Sequence, residues 1–184
     1  MKLEPLAAIA TAVTVAAVAV RFAISGPRTP EPTFDKALSQ RPTTADTLPT
    51  LGGTLADLVS NPSAARHIGD LAGEKVFIAP GKGGTTCFLH TDPSAPENGI
   101  GGGCIEKQTF EHSAAYVGWS SGGGERVNLV IPVADSYSAA EVGGETIQAS
   151  NNVALTSVDK HNAKIEVTGD GVPALESELL LDDR

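Results

Sequence analysis

The sequence predicts an α+β protein that is mainly β. In order, it reads as an N-terminal transmembrane helix, a Pro/Thr-rich linker, two short helices, and a small antiparallel β-sandwich or open barrel with one disulfide. Three observations carry this. Short apolar runs recur from Lys75 to Val167, cut by Gly-rich turns, which is the pattern of paired strands. Residues 6–20 are apolar apart from Thr11 and Thr14. Pro27, Pro30, Pro32, Pro42 and Pro49 crowd the next stretch of chain.

The chain has 184 residues, with 22 Asp or Glu against 13 Lys or Arg and a net charge of −9. That length suits one domain with appendages. The acidic balance excludes a nucleic-acid binder, which needs clustered Lys and Arg. Two cysteines exclude a cysteine-rich scaffold.

Residues 1–25 are a membrane anchor or a signal peptide. The apolar run is interrupted at Arg21 and resumes over Phe22, Ala23 and Ile24. Counted through Ile24 it approaches the roughly 20 residues a membrane span needs. Ala23-Ile24-Ser25 is the competing cleavage site. Glu4 offsets Lys2, so the positive leader of a signal peptide is missing, which favours the anchor. Setting residues 1–25 aside removes Lys2, Arg21 and Glu4. The exported part then holds 11 basic and 21 acidic residues, a net charge of −10.

Residues 26–53 read as a disordered Pro/Thr-rich linker. Proline removes amide donors, and too few apolar residues are present to offset the entropy of ordering. A short amphipathic interruption from Phe34 to Leu38 suits one helical turn.

Residues 54–170 read as the β-rich extracytoplasmic domain. Thr54 caps a short helix over Leu55–Val59, and Asn61-Pro62 ends it and starts a second over Ser63–Ile68. Val76–Ala79 and Thr86–Leu89 form a hairpin about Gly83-Gly84. Further strands are expected at Gly101–Ile105, Ala115–Trp119, Val127–Ile131, Tyr137–Val142, Thr146–Ala149, Val153–Thr156 and Ala163–Val167. Gly143-Gly144 turns one of these pairs. Residues 171–184 form an acidic tail, a frayed helix or a disordered end.

Cys87 and Cys104 fall in strands on either side of a Gly/Pro-rich loop. A bridge closing a loop of this size stabilises by about 3 kcal/mol, and it implies an oxidising compartment. A zinc site is disfavoured without a CxxC spacing or a nearby histidine pair. A Cys87–His90 nucleophile and base is disfavoured because residues three apart in a strand point to opposite faces.

No catalytic, cofactor or metal constellation is signalled. Lys82-Gly83-Gly84-Thr85 fails the phosphate-loop spacing, since Val76 stands where its first glycine belongs. His67, His90, His112 and His161 are scattered singly. Asp92 with Glu97, or Asp135 with Glu141, are candidate carboxylate pairs, although a solvated acidic surface explains them equally. Ser120-Ser121 lacks the G-x-S-x-G elbow. Tyr116 and Trp119 suit a ligand platform or the core, and the scarcity of aromatics favours the core.

Several motifs occur in a fixed order: Ser63-Ala64-Ala65-Arg66, Ala79-Pro80-Gly81-Lys82-Gly83-Gly84, Cys87-Phe88-Leu89, Gly103-Cys104, Val130-Ile131-Pro132 and Asn151-Asn152-Val153. The set is similar to small, functionally uncharacterised, membrane-anchored extracytoplasmic proteins of actinobacteria, over roughly Leu55 to Val158. Pro132-Val133-Ala134-Asp135 departs from that family's Pro-Asp-Gly-Val-like turn. The resemblance implies a β-rich domain with a Cys pair and an anchor, and transfers no catalytic residue. Asn151-Asn152 itself suits a tight turn, because Asn tolerates positive φ.

The expected function is a non-catalytic, envelope-anchored interaction or structural domain. Its partners would be the membrane, through the N-terminal helix, and an envelope protein or polysaccharide, with no nucleic acid and no cofactor. The alternatives are a hydrolase assembled from distant residues such as His112, Ser120 and Asp135, and a sensor ectodomain acting with a membrane partner. The expected location is the cell membrane with the domain outside, or the exterior after cleavage.

Overall fold

The computed structural model describes residues 33–51, 53–91, 99–120, 126–159 and 164–179. Among these, eleven strands form three antiparallel sheets. The first contains β1 (Arg66–Leu71), β2 (Glu74–Pro80), β3 (Thr86–Thr91) and β4 (Ile100–Ile105) in chain order. The second has β6 (Arg126–Pro132) between β5 (Val117–Trp119) and β9 (Val153–Asp159). The third runs β11 (Leu175–Glu178), β10 (Lys164–Thr168), β7 (Ala139–Val142) and β8 (Glu145–Gln148). The β-rich reading holds, as does the hairpin of β2 and β3.

Sheet one is buried on both faces, which is why β2 reads as an unbroken apolar run rather than an alternating one. One face contributes Val76, Ile78 and Phe88 to the main core. The same core includes Val127, Val130 and Ile131 of β6 and Val153 and Ala154 of β9. The other face gives Phe77, Ala79, Cys87 and Leu89 to a second core, closed by Val59 and Ala65 and flanked by Leu48, Leu51 and Leu55. Each large side chain withdrawn from water in this way contributes about 1.5–3 kcal/mol.

The sheets also meet at their edges. Strand β4 lies beside β5, and β1 lies beside β9. The latter approach is close, because a Cβ on Gly69 would stand 2.7 Å from Leu155 Cδ1. Gly69 sits where the register of β1 shifts against β2. Between β7 and β8, Gly143 and Gly144 both take positive φ, 60° and 84°, as a two-residue hairpin turn requires.

Three segments differ from the expectation. Residues 63–68 are not a helix: a single 3-10 turn over Pro62–Ala64 leads directly into β1. The helix formers there yield to pairing with β2 and to burial of Ala65, Arg66 and Ile68. The acidic tail forms β11, whose Leu175–Glu178 pair in register with β10, and Leu179 is buried beyond it.

Residues 33–51, within the stretch read as linker, are laid over the sheets as a strap. Helix α1 (Asp35–Leu38) is the predicted helical turn, and it carries Ala37 into the main core beside Phe34. Helix α2 (Gly53–Leu58) corresponds to the first expected helix, with Val59 bridging to Gly81 just after it. The N-terminal span lies outside the described residues. Among the described residues, no helix is long and apolar enough to cross a membrane.

Candidate functional site

Cys87 and Cys104 are register partners on β3 and β4 and are joined as a disulfide. Cys87 faces the second core while His90 faces the other way, as strand alternation requires. The thiol–imidazole pair is therefore absent on two counts.

The same alternation builds a polar cluster at one end of the space between sheets one and two. On β2, Glu74 shares a face with Val76 and Ile78, and on β3 His90 shares a face with Phe88. Both polar residues are buried, and His90 Nδ1 lies 2.5 Å from Glu74 Oε2. The imidazole stacks on the Trp119 indole with centroids 4.0 Å apart and planes 10° from parallel. Its Nε2 side lies over Gly101, where an added Cβ would stand 2.2 Å away. The glycine in β4 thus makes room for the histidine.

Across the β5–β6 ladder, Trp119 pairs with Asn128, which is buried. Asn128 Oδ1 accepts a 2.6 Å hydrogen bond from the Ser157 hydroxyl on β9. The indole Nε1–H is covered and has no hydrogen-bond partner among the described residues. Such a donor costs about 1–3 kcal/mol to leave unpaired, and native proteins tolerate few of them.

A second polar cluster docks the strap. Asp135 accepts from Thr33 Oγ1 at 2.6 Å and from Asn152 Nδ2 at 2.9 Å. Asn152 is buried with φ of 64°, and its Oδ1 receives the amide of Ala37 at 2.9 Å. Farther along, Asp46 accepts from the amides of Thr43 and His67. Burial pushes the Asp46 carboxyl up, but those amides, the Thr43 hydroxyl and the Arg66 guanidinium together hold it below the ordinary value. Arg66 Nε in turn donates to the Gln40 carbonyl at 2.8 Å. An open cleft of about 680 Å³ lies along the strap, lined by Pro42, Leu48, Pro49, Leu51 and Pro62.

The remaining sequence candidates fall as follows. His67 Nε2 meets Asp70 at 3.2 Å, and its ring lies edge-on to Phe77. His112 and Ser120 are exposed, whereas Asp135 is engaged in docking the strap. Glu141 stands exposed on β7 opposite Glu166 of β10. Lys82, Gly83 and Gly84 form the hairpin turn before β3. Tyr116 and Trp119 pack against the main core. Asp92, Glu97, Ser121 and His161 lie outside the described residues. The sequence alone does not join Glu74 to His90, because they are sixteen positions apart and only the β2–β3 pairing brings them together.

Among the described residues, no three His, Cys, Asp or Glu side chains converge as metal ligands. Comparison with protein-family models, with curated proteins and with solved structures finds no match.

Proposed function

We propose that this chain is a non-catalytic extracytoplasmic domain, held at the cell membrane by residues 1–25 and serving to bind or brace an envelope component. The observation that carries this reading is the Cys87–Cys104 disulfide between adjacent strands. Such a bond persists in an oxidising compartment and is rare in a reducing one. The apolar run over residues 6–20 supplies the attachment, consistent with the resemblance to anchored actinobacterial proteins. A non-catalytic role agrees with the use of Asp135 and Asn152 to dock the strap. In the same reading, sheets one and two are the walls of a partly open barrel, with the third sheet at its side.

Fractionating cells that express the full chain tests the proposal. The expected result is membrane-bound protein with an uncleaved N-terminus, yielding a Cys87–Cys104 linked peptide that separates on reduction. Native protein with reduced thiols in the cytosolic fraction overturns it. A soluble form beginning near Gly26 overturns the anchor alone.

A further inference from the structure

We propose that residues 48–51 and α2 form a redox-sensitive cover on sheet one, seated while Cys87 and Cys104 are joined and lifted when a dithiol reduces that bond. The inference needs only the bond and its neighbours, so it stands whether or not the chain is anchored at a membrane.

The second core is small, with Val59, Ala65, Phe77, Ala79, Cys87 and Leu89 buried in it. Leu48, Leu51 and Leu55 pack on it from outside, each half-buried, and α2 has no buried residue of its own. The span is pinned at its ends, where Asp46 accepts from the His67 amide and Val59 bridges to Gly81. A segment with so little buried apolar surface opens before the domain unfolds. What it rests on includes β4, which lies beside α2. Pairing with β3 puts Ile100, Gly102 and Cys104 on the face that carries Cys87 and Leu89. Gly102 has no side chain, so on that face β4 offers Ile100 and the sulfur pair. Gly101, Gly102 and Gly103 each weaken the strand about twofold to fivefold relative to Ala, or roughly tenfold to a hundredfold together. The disulfide offsets this by about a hundredfold. Opening the bond therefore loosens β4 first, and with it the surface on which the cover sits.

Cys87 is fully buried and Cys104 half-buried, so the thiolate of an incoming dithiol attacks the Cys104 sulfur. A mixed disulfide forms there as the Cys87 sulfur leaves and takes up a proton. The second thiol of the reagent then displaces Cys104, which is protonated in turn. The protein bond gains two electrons and two protons, and the dithiol becomes a cyclic disulfide. The strap's first anchors, Phe34, Ala37 and the Thr33–Asp135 bond, lie on the main core and are independent of this exchange.

The experiment follows hydrogen exchange by mass spectrometry in the full-length protein, oxidised, treated with dithiothreitol, and reoxidised. Loss of the bond lowers global stability and speeds exchange everywhere, by up to about a hundredfold, so the difference between segments is what is read. The expected result is that protection over residues 48–51, α2 and β4 falls about tenfold further than in β6 and β9, as the glycines of β4 imply. Reoxidation should restore it. An equal fall in all these segments overturns the proposal, because the bond is then a general brace. Protection retained over α2 once the mass shows two free thiols also overturns it. Leu55→Ala should lift the cover in the oxidised protein, raising exchange in α2 about fivefold to tenfold while β4 is unchanged. Exchange in α2 unaltered by that substitution overturns the seating on the second core. None of these outcomes depends on where the protein fractionates.

Discussion

Replacing Phe34 by Ala separates a strap that belongs to the fold from a tether lying loosely on it. Phe34 is 5% exposed and meets Phe110 edge-on at 4.8 Å and Phe88 at 6.0 Å between ring centroids. Truncating a buried Phe costs about 3–5 kcal/mol. A strap can detach and rehydrate, which limits the loss to the energy with which it docks, so the low end near 3 kcal/mol is the working figure. In a domain of this size each kcal/mol lowers the midpoint by about 2–4 °C, giving a fall of about 6–12 °C. Thermal unfolding of the oxidised protein measures this. Tryptic cleavage after Lys36, exposed on the strap's helix, should accelerate in parallel. A midpoint within about 2 °C of wild type, with unchanged cleavage, would refute the reasoning.

Four further outcomes are expected. Cys87→Ala with Cys104→Ala should lower stability by about 3 kcal/mol, read from urea midpoints of oxidised wild type and variant; equal midpoints would count against the disulfide as a structural brace. Asn152→Ala forces Ala into positive φ and strips the bonds to Ala37, Val133 and Asp135, costing about 2–4 kcal/mol. Asn152→Gly recovers only the backbone part and should fall between the two. Asp46 has a folded-state pKa below its ordinary 3.8, so its contribution is present above that pH and lost as pH falls through the folded value. The stability difference between wild type and Asp46→Asn should therefore persist at neutral pH and close in acid, and a difference that widens in acid would reverse the sign. Gly101→Ala collides with His90 and should unstack Trp119, visible as a changed emission maximum in a protein that still folds.

The parts of the fold legible in the sequence are those set by local chemistry. Gly143-Gly144 demands a hairpin, Asn151-Asn152 tolerates positive φ, and both do as expected. The cysteines fall in strands, and those strands are neighbours. The hidden parts depend on partners distant in the chain. Ala64-Ala65-Arg66 favours a helix in isolation, and only the β2 edge draws Arg66 to Leu71 into a strand. Leu175-Glu176-Ser177-Glu178 alternates but is too short and acidic to announce β11 without β10 beside it. The strap's composition is that of a tether, yet a few anchors suffice to dock it: Phe34, Ala37 and the Asp135–Asn152 pair. The strand expected from Gly101 onward forms, but the sequence does not show that Gly101 is the space into which His90 fits.

The docking of Thr33 also fixes a distance. A linker running from residue 26 to residue 53 could carry a domain as far as about 95 Å from a bilayer. With the proposed anchor ending at residue 25 and Thr33 already bonded to Asp135, only residues 26–32 remain to bridge the gap. Their full extension is about 25 Å. An anchor ending there would hold the domain no farther than that from the lipid headgroups. The domain's acidic surface would hold it off the anionic leaflet rather than let it lie flat.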